Sequence, residues 1–415
     1  MTTAKQNILT VFEHDTLKLH NDRTLLEALQ DFHGENGVPY FSLGNNCVKF
    51  CEYVGVIQIG KTTIEVLPKA DHTDSKAAWR EALIGMLRSV GVFDVEAPSS
   101  STLNVKHNSI LDLYFELFIK EVEHLVHLGL VKKYKKADGN CNSLKGNLLF
   151  GEQIQKNLIR KERFFTRHTV YDVQHPLHQI LYKAILLLQQ LNSNTALTSR
   201  MGSLLLHFPE QSDIRVTEAM FEKIIFNRKT EHYRKAIEIA RLLLLNYHPD
   251  VRTGKNHVLA LMFDMNMLWE RFVFVSIRAY LRKQLSDYRV IAQASKYFWK
   301  PAAGYRSSIK ADIVFKYGPE QDKCVVLDTK WKNLNGSNPS PDDLRQLYVY
   351  HEFYDAQKVA LVYPGNFGIK KGIYYDKHHQ LSDKECSVMG IKVITDISKW
   401  QTEIGTQVLQ WVLGA

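Results

Sequence analysis

No uninterrupted apolar stretch of about 18 residues occurs in this 415-residue chain, so no helix long enough to span a bilayer is expected. The opening run, Met1-Thr2-Thr3-Ala4-Lys5-Gln6-Asn7, lacks the apolar core of a signal peptide. No internal repeat and no low-complexity tract is visible. These absences predict a cytoplasmic chain with no membrane partner. Cysteine is scarce, and its count of 5 is odd, which suits reduced thiols better than a disulfide framework. Cys47 and Cys51 are the one close pair, and the second ligand pair that a tetrahedral zinc site needs is missing. Extremes of composition are missing too. With 45% hydrophobic and 23% charged residues, disordered, collagen-like and coiled-coil classes are excluded.

What is present suits two or three domains, since 415 residues exceed one ordinary core. The expected fold class is multidomain α/β. Residues 1–72 read as a β-rich module: Ile8 to Phe12, Val48 to Val54, Val56 to Ile59 and Thr63 to Leu67 are β-branched and aromatic runs broken by Gly55 and Gly60 and closed by Pro68. Residues 73–252 read as mainly helical, with apolar residues at helical spacing over Trp79 to Val90, Ile110 to Leu128, His175 to Leu191 and about Thr217 to Asn246. The polar stretch around His248-Pro249-Asp250 and Thr253-Gly254-Lys255 marks a boundary. Residues 253–415 then run from a helix over Leu259 to Leu281 through strands at Arg289 to Ala292, Ala311 to Phe315 and Cys324 to Asp328. A helix over Pro341 to Asp355 and strands at Val359 to Tyr363 and Ile391 to Ile394 complete an α/β domain with a mixed central sheet.

One motif misleads. Gly55-Val56-Ile57-Gln58-Ile59-Gly60-Lys61-Thr62 fits the phosphate-loop expression G-x-x-x-x-G-K-[ST]. Such a loop must expose backbone N–H groups and lead into a helix. Here Val-Ile-Gln-Ile favours an extended strand and Thr62 to Pro68 favours a second one. The segment therefore reads as a hairpin turn without nucleotide binding.

The net charge of +9 favours a polyanionic partner such as DNA. Two basic stretches interleaved with aromatics are candidates for contact with a phosphate backbone: Lys132, Lys133, Lys135 and Lys136 around Tyr134, and Arg160, Lys161, Arg163 and Arg167 around Phe164 and Phe165. The competing reading is a solvated helix face and loop.

The chemistry concentrates later. Asp312 lies in one strand, and Asp328-Thr329-Lys330 ends another sixteen positions on, so two strands can bring two carboxylates and an ammonium to one sheet edge. Residues i and i+2 of a strand share a face, which aims Asp328 and Lys330 at one site while Thr329 points away with only its carbonyl in reach. Phosphodiester hydrolysis needs such a set: oxygen ligands for Mg²⁺, and a lysine to orient or deprotonate water. Glu270, inside an apolar helix, is a further acid, or alternatively a helix-surface carboxylate paired with Arg271 or a neighbour. Gln346 and Tyr350, four residues apart on a helix, can aim an amide and a phenol at the site or at the DNA backbone. The bland alternative for Asp312, Asp328 and Lys330 is ordinary surface ion pairing.

These residues resemble the PD-(D/E)xK core of the McrC family, the nuclease subunit of McrBC-type modification-dependent restriction systems. The likeness extends to Tyr53 through Gly60 with Thr63 through Lys69, to Leu144 through Phe150, and to Asn266-Met267-Leu268-Trp269-Glu270-Arg271-Phe272. Ala311 replaces the proline of the class name, and Tyr171 through Pro176 only loosely resembles the family's acidic Asp-Thr-Pro-Asn stretch. The resemblance implies a Mg²⁺-dependent DNA endonuclease, with Mn²⁺ as a substitute, whose metal is held by Asp312, Asp328 and Thr329. It implies a hexameric AAA+ GTPase partner of the McrB type, on which the N-terminal half docks and whose hydrolysis it stimulates. The other readings are a PD-(D/E)xK nuclease of repair or recombination and a non-catalytic adaptor of an AAA+ motor.

Overall fold

The computed structural model describes residues 7–20, 22–69, 75–90, 110–192, 194–248, 257–284, 288–334 and 336–414. Packing divides the chain into two compact units, one joining Met1–Pro98 to Ala260–Ala415 and the other formed by Ser99–Leu259. The boundaries expected at 72/73 and 252/253, and the Thr253-Gly254-Lys255 stretch, lie outside the described residues.

In the first unit, Asn7–Phe12, Thr62–Leu67, Tyr53–Ile59 and the part from Ala260 on of the strand Val258–Asp264 are successive neighbours in one sheet. Ile59 stands opposite Thr62, so Gly60-Lys61 is a two-residue hairpin turn. Gly60 has φ +54°, where glycine carries no Cβ penalty, and a strand follows it where a phosphate-binding loop needs a helix. The run Val48 to Val54 is two strands: Cys47–Phe50 pairs with Phe41–Gly44 in a separate small sheet, while Tyr53–Ile59 joins the larger one. Gly55 is required by close approach. It has φ +139°, and a Cβ there would sit 2.1 Å from the carbonyl oxygen of Leu261.

The same unit holds a six-stranded sheet in the order Arg289–Trp299, Ser307–Tyr317, Lys323–Thr329, Lys358–Pro364, Leu381–Ile391, Gly368–Tyr375. The first three strands meet antiparallel, the third to fifth run parallel, and the last is antiparallel at the edge. The mixed sheet expected from the sequence is thus present. The helix Pro341–Tyr354 forms the crossover between the first parallel pair and packs Leu347, Tyr350 and Tyr354 on Val326, Val359 and Leu361. Met265–Gln284 packs against Lys323–Thr329 and against the helix Ile397–Leu413. Covered on both faces, Val325 to Leu327 and Val359 to Val362 read as unbroken apolar runs.

Three expectations need correction here. The helix expected from Leu259 begins only at Met265, because Val258–Asp264 is a strand and the Asp264 carboxylate caps the helix by accepting from the N–H groups of Asn266 and Met267. The strand expected at Ile391 to Ile394 is instead Leu381–Ile391. Gly368–Tyr375 was not expected, since this exposed edge strand has no apolar run.

The second unit is built on the helices Ile110–Leu128, Pro176–Leu191, Thr195–His207 and Arg234–Leu245. The continuous helical region expected from Thr217 to Asn246 is broken, because Asn227 and Thr230 turn their side chains onto the backbone and close a turn between Glu218–Glu222 and Glu231–Tyr233. The mainly helical expectation also missed an antiparallel sheet of Lys133–Cys141, Phe164–Asp172 and Asn147–Leu148. Lys133–Cys141 is polar on both faces, so it carries no period-2 signal.

Candidate active site

Two antiparallel strands set the site. Ile313 pairs with Leu327, which places Asp312 opposite Asp328 one step further along. Asp328 is only 1% exposed, which removes the surface ion-pair reading for it. Its Oδ2 lies 2.7 Å from Lys330 Nζ and is reached by no other donor among the described residues, while Oδ1 accepts from Gln346 Nε2 at 3.3 Å. Burial, reinforced by the negative charge of Asp312 and opposed by Lys330, pushes the Asp328 carboxyl up to about 7. Burial alone would lower the Lys330 ammonium, but Asp328 and Asp312 outweigh it and hold the lysine charged.

A helix aims the second layer of groups. Gln346 also places its Oε1 3.5 Å from Lys330 Nζ and donates to Tyr350 Oη at 2.6 Å. Tyr350 in turn donates to the Lys310 carbonyl at 2.7 Å. Being 3% exposed, Tyr350 is spent on orienting Gln346 and is not offered to a DNA backbone, contrary to the expectation. Thr329 departs from expectation as well. Both its N–H and its hydroxyl donate to Asp312 Oδ2, at 2.8 and 2.9 Å, so its side chain belongs to the site.

The reason lies in a break of alternation in the two outer strands. The core side of the sheet is lined by Ile291 and Val314 before the break and by Ala294, Ala311 and Ile309 after it. The intervals from 291 to 294 and from 311 to 314 are three residues, where an unbroken strand needs an even number. Gln293, with φ +54°, and Asp312 face each other at this kink. Gln293 donates to Glu270 Oε1, so the partner of Glu270 is this amide and not Arg271. Burial, with a further push from Asp312, raises the Glu270 carboxyl, against the hydrogen bond from Gln293. Gln293 was not singled out by the sequence, because a glutamine within a strand carries no signal of positive φ.

The remaining candidates lie in the second unit. Lys132, Lys133 and Lys136 are exposed at or beside the strand Lys133–Cys141, but Lys135 pairs with Asp172 at 2.5 Å. Arg160 and Lys161 are exposed, Arg163 is half-buried, and Arg167 pairs with Asp138 at 2.5 Å. Local carboxylates thus already neutralise part of the basic surface.

Among the described residues no cluster of three or more His, Cys, Asp or Glu has metal-binding geometry, and Cys47 and Cys51 are free half-buried thiols. The candidate site offers oxygen donors only: two facing carboxylates, with the buried Asp328 Oδ2 met by the Lys330 ammonium alone. That donor set fits a hard divalent cation that keeps most of its waters, and not a thiolate- or imidazole-bound metal.

Residues 48–364, well over half of the chain, match a family model described as McrBC 5-methylcytosine restriction system component. The fold is similar to a chain in a refined half-complex from a tetradecameric assembly of Thermococcus gammatolerans McrB AAA+ hexamers with bound McrC. The TM-score is 0.70 at 20% identity, over 98% of this chain and 100% of that one. A chain of the cryo-EM Thermococcus gammatolerans McrBC complex matches with TM-score 0.50 and 21% identity, over 66% of this chain and 88% of that one. No curated protein matches the sequence.

Proposed function

Because the chain belongs to the family of McrBC 5-methylcytosine restriction system components, we propose that it is the endonuclease subunit of such a system, cutting DNA with a PD-(D/E)xK domain within residues 260–415. The observation that carries this reading is the meeting of Asp312, Asp328 and Lys330 where the pairing of two antiparallel strands ends beside the helix of Gln346.

Asp312, Asp328 and the Thr329 carbonyl would hold Mg²⁺, or Mn²⁺ in its place, and a cation bound there supplies an activated water and offsets charge on the scissile phosphate. The chain's own groups do the rest. Lys330, kept protonated by Asp328 and steered by Gln346, orients the water and meets the charge that develops on the phosphate oxygens. Thr329 fixes the rotamer of Asp312 through two donors to one oxygen, leaving the other free for coordination. Gln346, locked by Tyr350, holds Asp328 through its Oδ1, while Oδ2 faces the Lys330 ammonium.

The partner would be a hexameric AAA+ GTPase, on which the N-terminal half docks and whose hydrolysis it stimulates. The Thermococcus gammatolerans assemblies, in which McrB AAA+ hexamers carry bound McrC, support this division of labour. So does an apolar surface in the second unit, where Phe150, Ile154, Leu158 and Ile159 are all exposed.

The test is paired: DNA cleavage and partner GTPase rate, measured on one purified complex carrying Asp328→Asn. Cleavage should fall by orders of magnitude while GTPase stimulation persists. Retained cleavage would overturn the site, and loss of both activities in a folded complex would overturn the separation of chemistry from docking.

A further inference from the structure

The strands Arg289–Trp299 and Ser307–Tyr317 form a ribbon whose distal half is exposed on both faces. From Ser295 to Ala311 it contains the cations Lys296, Lys300, Arg306 and Lys310 and no carboxylate; the next acid along the chain is Asp312 itself. The same stretch leaves Tyr297 71%, Phe298 49%, Trp299 58% and Tyr305 97% exposed. Large rings so near one another are ordinarily buried, and their exposure marks a binding surface.

The base of the ribbon is anchored. Phe298 packs on Phe353 with centroids 5.1 Å apart, and Lys296 donates to the Phe353 carbonyl at 2.6 Å. Both interactions are with the helix that carries Gln346. The pairing register shifts between Tyr297 and Trp299, and the Arg306 guanidinium lies 5.0 Å from the Tyr297 ring centroid. At roughly 3.3 Å per residue, Arg306 stands about 20 Å along the strand from Asp312, the length of about six base pairs.

We propose that the ribbon 295–311 is a DNA grip. Its cations meet phosphates and its free rings stack on bases of the strand delivered to Asp312. A surface of interleaved cations and rings with no acidic residue complements a polyanion that also has flat apolar faces, and a two-stranded ribbon is narrow enough for a duplex groove. The proposal rests on the endonuclease reading.

The test uses the full chain in complex with its AAA+ partner, with EDTA present so that binding is read without cleavage. Fluorescent duplex and single-stranded oligonucleotides are titrated over a series of salt concentrations. Tyr297→Ala/Trp299→Ala/Tyr305→Ala should weaken binding tenfold or more with the salt slope kept, and more for single strands if the rings meet unpaired bases. Lys300→Ala/Arg306→Ala should reduce the salt slope by about two, one for each phosphate that is no longer neutralised. Partner GTPase stimulation should stay at the wild-type level in both, reporting an intact fold. Wild-type affinity and slope in both variants would overturn the grip, as would loss of self-association in sedimentation with DNA binding unchanged, which would make the rings a protein interface. The two readings fail separately: if Asp328→Asn still cleaves while the ring variant no longer binds, the grip stands and the active-site assignment falls.

Discussion

The indole N–H of Trp331 donates a 2.6 Å hydrogen bond to Glu13 Oε1, across 318 positions of sequence. Trp331 directly follows Lys330, and the Lys69 N–H donates to the same glutamate oxygen at 2.8 Å. Trp79 meets the Trp331 ring edge-on at 6.4 Å, and Trp269 lies 5.4 Å away on the other element. The N-terminal β-structure is therefore part of the support of the strand end that carries the candidate catalytic lysine.

Glu13 makes that support sensitive to pH. Burial, partly offset by the Lys69 and Trp331 donors, pushes its carboxyl from 4.5 to about 7. The folded state holds the proton more tightly than the unfolded chain does. Stability is thus full below about pH 4.5 and falls as the pH rises to about 7, by about 3 kcal/mol. Glu13→Gln keeps the acceptor for Trp331 and cannot ionise, so its Tm should change less between about pH 5 and pH 8 than that of the wild type. Parallel pH profiles would show that Glu13 does not titrate in this range.

Glu270 reaches the site through Gln293 and feels Asp312 only electrostatically. Glu270→Gln should therefore slow cleavage by about tenfold, or about 1.4 kcal/mol. Asp312→Asn and Asp328→Asn should each cost at least a further tenfold, measured as single-turnover rates. Complete inactivity of Glu270→Gln would promote it to a metal ligand.

Gly55→Ala should destabilise the first unit by roughly 2–4 kcal/mol, since it combines a forbidden backbone angle with overpacking. The methyl would sit 2.1 Å from the Leu261 oxygen. Chemical denaturation reads this directly, and a loss under about 0.5 kcal/mol would mean that the two strands can separate freely.

For the basic strand of the second unit, Lys132→Ala/Lys133→Ala/Lys136→Ala should flatten the salt dependence of DNA binding, whereas Lys135→Ala alone should leave it unchanged, because Lys135 is already paired with Asp172. An equal effect of Lys135→Ala would indicate that the ion pair opens when DNA binds.

How legible the molecule is in its sequence follows from where the physics is local. Apolar runs such as Val325 to Leu327 report a strand covered on both faces, and the Asp328 to Lys330 spacing places both side chains on one face; both features are found in the structure. The Gly60-Lys61 turn is equally local. Non-local features leave no such trace. Nothing in the run from Leu259 to Met262 says strand until Gly55 is beside it, and nothing about Gln293 signals the kink that turns Asp312 toward Thr329. Strands polar on both faces, such as Lys133–Cys141, hide because their stability comes from neighbours and not from a pattern of their own.

The two-part first unit also dictates an order of assembly. Ser99–Leu259 is contiguous and can fold as soon as it leaves the ribosome, but Met1–Pro98 must wait until the rest of its unit, Ala260–Ala415, has been made. At about 5–20 residues per second, the 318 positions between Glu13 and Trp331 keep that glutamate without its tryptophan for tens of seconds. Throughout that interval the strand Tyr53–Ile59 has an edge that only the later Val258–Asp264 covers, and an uncovered edge is a template for pairing with other chains.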